Sequence, residues 1–152
     1  SRRAGRYLRL PPRRLELLGR DQMAEKILQI VTNNPEIYWS PEMPYGVVSV
    51  EGDPIDVLDR TEELLQHGWR LLSAPLPPNV PIMRGPYRSL VIEESDRQYD
   101  KEGMIAIEKA RERYLIERKR NCQEPQEDFA LIDRQMLQRA LRDISISYSS
   151  SS

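Results

Sequence analysis

The sequence predicts an α/β fold: a single domain with a mixed sheet of about four strands, one crossover helix and two C-terminal helices. Three observations predict it. Short apolar runs rich in β-branched residues recur at Lys26–Thr32, Tyr45–Glu51, Trp69–Ser73 and Ser89–Glu93. A capped helical stretch separates the second run from the third. From Asp96 onward, helical periodicity replaces the strand pattern. The centre of this plan is Gly68–Leu76 with its continuation Pro86–Ile92, read as a buried strand, a proline-fixed loop and a second strand.

The first strand, Lys26–Thr32, ends at Asn33-Asn34-Pro35, a turn signal, and is expected to be central. Asparagine offers local side-chain hydrogen bonds, and proline stops the ladder. Glu36–Pro44 contains Tyr38, Trp39, Pro41 and Pro44 and reads as an irregular or single-turn connection. After the second strand, Gly52-Asp53-Pro54 opens a helix. Asp53 serves as N-cap, Pro54 sits where its missing donor costs nothing, and Asp56 places negative charge at the positive helix end. Val57, Leu58, Thr61, Leu64 and Leu65 share its inner face, and Gly68 is expected at C′.

A strand, a helix and a strand in succession predict a crossover and a parallel pair. The loop Ala74–Pro86 carries Pro75, Pro77, Pro78, Pro81 and Pro86, so it is expected to be stiff and extended. The helix Asp100–Arg120 turns Met104, Ile107, Ala110, Tyr114 and Leu115 inward. The last helix, Gln126–Asp143, turns Phe129, Ile132, Met136, Leu137, Ala140 and Leu141 inward. The domain organisation is then a basic arm over 1–24, an α/β domain over 25–144 and a serine-rich tail over 145–152, which is expected to fray.

The chain has 152 residues, enough for one modest core, with 39% apolar and 31% charged residues. The net charge of −1 hides an asymmetry. Ser1–Arg20 holds seven arginines and one glutamate, +6, so the remainder carries −1 − 6 = −7. A basic arm of this kind binds nucleic acid or an anionic surface, folds back onto its own acidic body, or is a poorly ordered terminus. No second basic patch or aromatic stacking motif supports a nucleic-acid surface, so nucleic acid is the less favoured partner. No run approaches the ~20 apolar residues of a membrane helix, so no membrane partner is expected. The single Cys122 excludes an internal disulfide and suits a reducing cytoplasm.

GxGxxG, Walker, HExxH and CxxC motifs are absent, and no cofactor or metal is expected. His67 is the sole histidine, and its place at a helix end accounts for it without catalysis. Cys122 is expected in an exposed break beside Arg118, Lys119 and Arg120, whose charge lowers a thiol's pKa and favours reactivity, but an incidental surface cysteine is the favoured reading. Glu93 with Glu94, and Glu62 with Glu63, read as solvated charges. The polar strand-end loops are the best candidate site. Thr32, Asn33 and Asn34 leave the first strand at its C-terminal end, where open α/β sheets bind ligands. The stiff loop delivers Arg84, Tyr87, Arg88 and Ser89. Guanidinium, amide and phenol groups together hold a small anion such as a carboxylate or phosphate. The competing reading makes Asn33-Asn34-Pro35 a turn and Tyr87 a core aromatic.

Ile30-Val31-Thr32-Asn33-Asn34-Pro35, together with Gly68-Trp69-Arg70-Leu71-Leu72-Ser73-Ala74-Pro75-Leu76 and Pro86-Tyr87-Arg88-Ser89, resembles the GrdX family. These are small proteins associated with glycine, sarcosine and betaine reductase systems of anaerobic amino-acid fermenters. The resemblance covers the chain from Ile27 to Ile144 and leaves out the arginine-rich head and the serine tail. It implies a cytoplasmic bacterial protein and an accessory or interaction role beside reductase-complex proteins, without implying a reaction. The residues matching the family pattern are Thr32, Asn33, Asn34, Pro75, Pro86, Tyr87 and Ser89; Ala74 stands where the family often has histidine. The helical C-terminal third either covers the sheet within its own chain or packs in a homodimer, which exposed Leu and Met on Gln126–Asp143 would favour.

Overall fold

The computed structural model describes residues 27–40, 43–77, 83–96, 99–119 and 128–150. The basic arm, Cys122, and the loop prolines Pro78 and Pro81 lie outside the described residues. Eight elements follow in order. They are β1 (Leu28–Thr32), α1 (Pro35–Tyr38), β2 (Gly46–Ser49), α2 (Pro54–Leu65), β3 (Trp69–Leu71), β4 (Ser89–Glu94), α3 (Lys101–Lys119) and α4 (Phe129–Ser150).

The sheet runs β2-β1-β4-β3. β1 is interior, as its continuous apolar run predicts, and every one of its residues is buried. It pairs in parallel with β2 and antiparallel with β4, placing Thr32 opposite Ser89. β3 pairs antiparallel with β4. β2 and β3 therefore point the same way but occupy opposite edges. The crossover through α2 spans the sheet, so the parallel pair expected between β2 and β3 does not form. The parallel neighbours are instead β1 and β2, joined through the single turn α1. The buried strand expected at Trp69–Ser73 is a partly exposed edge strand, because only β4 covers it.

Helices cover both faces. Val31, Leu90 and Ile92 pack with Val57, Leu58 and Leu65 of α2 and Ile107 and Ala110 of α3. On the other face, Ile30 and Val91 pack with Ile37 of α1 and Leu137 of α4. Side chains alternate along a strand, so one residue's step in sequence changes the face. Each buried Val, Leu or Ile contributes roughly 1.5–3 kcal/mol relative to exposure. The C-terminal helices thus sandwich the sheet. Arg111 fastens α3 to α2 through Asp59 at 2.9 Å and Glu62 at 2.7 Å, besides pairing with Glu108 on its own helix at 2.6 Å.

The cap predicted at Asp53 forms, and Asn34, read from the sequence as a turn residue, caps α1 as well. Asn34 Oδ1 accepts from Glu36 N–H at 3.0 Å and starts α1. Asp53 and Asp56 make a reciprocal capping box on α2, at 2.9 and 3.2 Å. Gly52, at φ +132°, is required there, because a Cβ would stand 2.0 Å from Asp56 Oδ2. Helix α2 closes on Gln66, so Gly68 falls one position beyond the expected C′ site, with φ +96°. His67 Nδ1–H donates to the Glu63 carbonyl at 2.8 Å, the helix-end role read from the sequence.

Two further expectations are corrected. Helix α4 continues to Ser150, past the expected end at Asp143. Glu93 is not a solvated charge: it is 3% exposed and pairs with Arg70, its partner across β3 and β4, at 3.0 Å. Glu94 is exposed, as expected.

Candidate functional site

The strand-end residues divide between the two faces of the sheet. Thr32, Asn34 and Ser89 turn toward α4. Asn33 and Arg88 serve the other side, where the 83–88 loop meets α2 and α3.

On the α4 side, four residues form a continuous hydrogen-bond chain. Ser89 Oγ donates to Asp133 Oδ2 at 2.5 Å. That uses the only serine proton, so the 2.7 Å contact between the two hydroxyls is a donation by Thr32 Oγ1–H to Ser89. Thr32 Oγ1 in turn accepts the backbone N–H of Asn34 at 2.9 Å. Asn34 Nδ2 closes the ring by donating to Asp133 Oδ2 at 3.0 Å and to the Ala130 carbonyl at 2.9 Å. Burial pushes the Asp133 carboxyl above its ordinary range, opposed by the bonds from Ser89 and Asn34 and by the charge of Arg88. Beside it lies a cavity of about 120 Å³, bounded by the Ser73–Pro77 loop, by Arg88 and Ser89, and by α4.

On the α3 side, Asn33 is the hub. Its Nδ2 donates to the carbonyls of Gly52 at 2.9 Å and Pro86 at 2.8 Å, and its Oδ1 accepts Arg88 N–H at 2.9 Å. One amide therefore ties the end of β1 to the α2 entry and to the loop before β4. The Arg88 guanidinium is 4% exposed and lies over the Tyr114 ring, 5.8 Å from its centroid. It donates to the Met83 carbonyl at 3.1 Å, and among the described residues its buried Nε has no partner and no carboxylate bonds to it. Burial lowers its pKa, opposed by Asp133 and Tyr114. Arg118 lies over the same ring at 5.6 Å and pairs with Asp53 at 3.4 Å. Burial raises the Tyr114 phenol, as does Asp53, against Arg118 and Arg88.

Arg84 stands apart from Arg88's guanidinium contacts and faces Glu117 of α3 at 3.7 Å. Glu117 is 2% exposed and also accepts from Arg113 at 3.0 Å. Tyr87 is half-buried and joins neither group. The sequence reading missed Asp133 and Glu117. Each had a signal: a carboxylate standing in the inward stripe of its helix, Asp133 in line with Phe129 and Leu137, Glu117 in line with Ala110 and Tyr114. Among the described residues there is no group of three or more His, Cys, Asp or Glu that could hold a metal ion, and no helix long and apolar enough to cross a membrane.

Fold and site together define a small α/β protein whose sheet end is cross-linked by a buried amide hub and a hydroxyl–carboxylate chain. Residues 29–142 match the family model described as GrdX-like protein, and the chain belongs to that family. No curated protein and no solved structure matches it.

Proposed function

We propose that this chain is an accessory protein of a glycine, sarcosine or betaine reductase system, without catalysis of its own, and that it holds a small anion at Arg88. The accessory role rests on the family, whose resemblance implies that company and a cytoplasmic setting among reductase-complex proteins. The anion reading rests on one observation: Arg88 is a buried guanidinium with no bonded carboxylate and an unpartnered Nε. Asp133 acts on it only without a bond, and a charge so buried is costly without a directly paired counterion. A carboxylate or phosphate bound to the guanidinium would supply one. Arg118, on the same aromatic ring, adds positive potential nearby.

A melting-temperature screen tests this reading against acetate, glycine, sarcosine, betaine, acetyl phosphate and phosphate at matched ionic strength. A ligand at a hundredfold excess over its Kd adds about 2.7 kcal/mol. Arg88→Met, which keeps the apolar stem of the side chain, is expected to abolish the shift. A shift that survives Arg88→Met removes Arg88 from the reading. Co-purification with reductase subunits from a fermenting host tests the accessory role separately, and failure of the purified proteins to associate overturns it.

A further inference from the structure

We propose that the cavity lined by Arg88 and Asp133 is the ligand site, and that its ligand is a small zwitterion of the amino-acid type, not a simple anion. The inference rests on the reading of Arg88 as an anion site and names the class of molecule that carries the anionic group. Arg88 and Asp133 line one cavity at the start of β4. They are 4% and 8% exposed, so bulk water screens neither charge well. Each charge acts on the other through space. Their bonds go elsewhere, from Arg88 to the Met83 carbonyl and to Asp133 Oδ2 from Ser89 and Asn34.

The two charges balance, and the ligand has to keep that balance. A plain anion on Arg88 cancels the positive charge acting on Asp133 and sets a second negative group beside a buried carboxylate, which is costly. A plain cation on Asp133 leaves Arg88 in the corresponding position. A molecule with one charge of each sign meets both needs. Its carboxylate bonds to the guanidinium, and its ammonium bonds to Asp133, whose Oδ1 stands outside both existing bonds. Ser73, also on the cavity wall, accepts Val91 N–H at 2.9 Å and keeps its own proton to donate to the ligand carboxylate. The volume of about 120 Å³ equals about four waters at roughly 30 Å³ each, which restricts the ligand to the smallest amino acids. Leu76, Met136 and Ala140 give its methylene an apolar wall.

Calorimetric titration with glycine, acetate, phosphate and methylammonium, at neutral pH and equal ionic strength, tests the class, because glycine is acetate with an ammonium group added. Glycine is expected to bind at least about tenfold more tightly than acetate or methylammonium. Asp133→Asn neither repels a carboxylate nor pairs with an ammonium, and is expected to reverse the order, so that acetate binds at least as tightly as glycine. If that variant does not fold, the wild-type order decides. Acetate or phosphate binding as tight as that of glycine in the wild type overturns the zwitterion and leaves the anion reading standing. So does acetate affinity that rises about tenfold for each unit fall in pH, which marks proton uptake by Asp133 in place of the ammonium. No response to any of the four, or a glycine response that survives Arg88→Met, overturns both. A glycine response that survives Ala140→Leu, which fills the cavity, overturns the site.

Discussion

Thr32 Oγ1 and Ser89 Oγ, 57 residues apart in the chain, meet at 2.7 Å across β1 and β4 and pass their hydrogen bonds on to Asp133 of α4. This contact joins the two interior strands to the last helix. It exists because the antiparallel register sets the two residues opposite each other on the face that α4 covers.

Asp133→Ala is expected to destabilise the fold by about 2–4 kcal/mol, since it leaves the buried donors of Ser89 and Asn34 unpaired at roughly 1–3 kcal/mol each. Asp133→Asn keeps an acceptor and is expected to cost less than half as much. Urea unfolding of both variants checks the ranking. Equal losses would show that the carboxylate charge, and not the acceptor, holds α4.

Asp133 also gives stability a pH dependence. Unfolded, it titrates near its ordinary value of 3.8; folded, burial holds the proton to higher pH. Between those two values the native state binds more protons, so this contribution is complete below the unfolded pKa and lost as pH rises through the folded one. Asp133→Asn removes it. The stability of the wild type minus that of Asp133→Asn is therefore expected to fall over the range in which pH rises above the ordinary value of 3.8. A flat difference in urea titrations across that range contradicts the assignment.

Asn33→Ala removes three hydrogen bonds, to Gly52, Pro86 and Arg88. At roughly 1 kcal/mol each, the expected loss is about 3 kcal/mol. Hydrogen exchange is expected to speed up at Arg88 N–H before it does at the centre of β4. Exchange at Arg88 that stays at the wild-type rate would mean another group holds the loop.

Gly52→Ala is expected to destabilise by more than about 1 kcal/mol, because alanine resists φ +132° and its Cβ displaces the Asp56 carboxylate from the capping box. The added loss on combining Gly52→Ala with Asp56→Ala is expected to be smaller than the sum of the two. Full additivity in unfolding measurements would separate the glycine from the cap.

The sequence by itself determined the elements. Val, Ile and Leu runs set the strands, Asp53-Pro54 and Asn34-Pro35 set helix starts through their own side-chain and ring chemistry, and the family follows from short motifs in order. These are local properties, decided within a few residues. Tertiary structure decided the rest. The order β2-β1-β4-β3 depends on which apolar faces bury most area together, and no local signal favours that pairing over a β2–β3 neighbour. The same pairing sent the Arg88 guanidinium to Tyr114 of α3 and the hydroxyl of its neighbour Ser89 to Asp133 of α4. It drew Asp133 and Glu117, neither of them singled out in the sequence, into the buried interior. A carboxylate's partners come from distant chain segments, so only the folded packing reveals which acid is solvated and which is held.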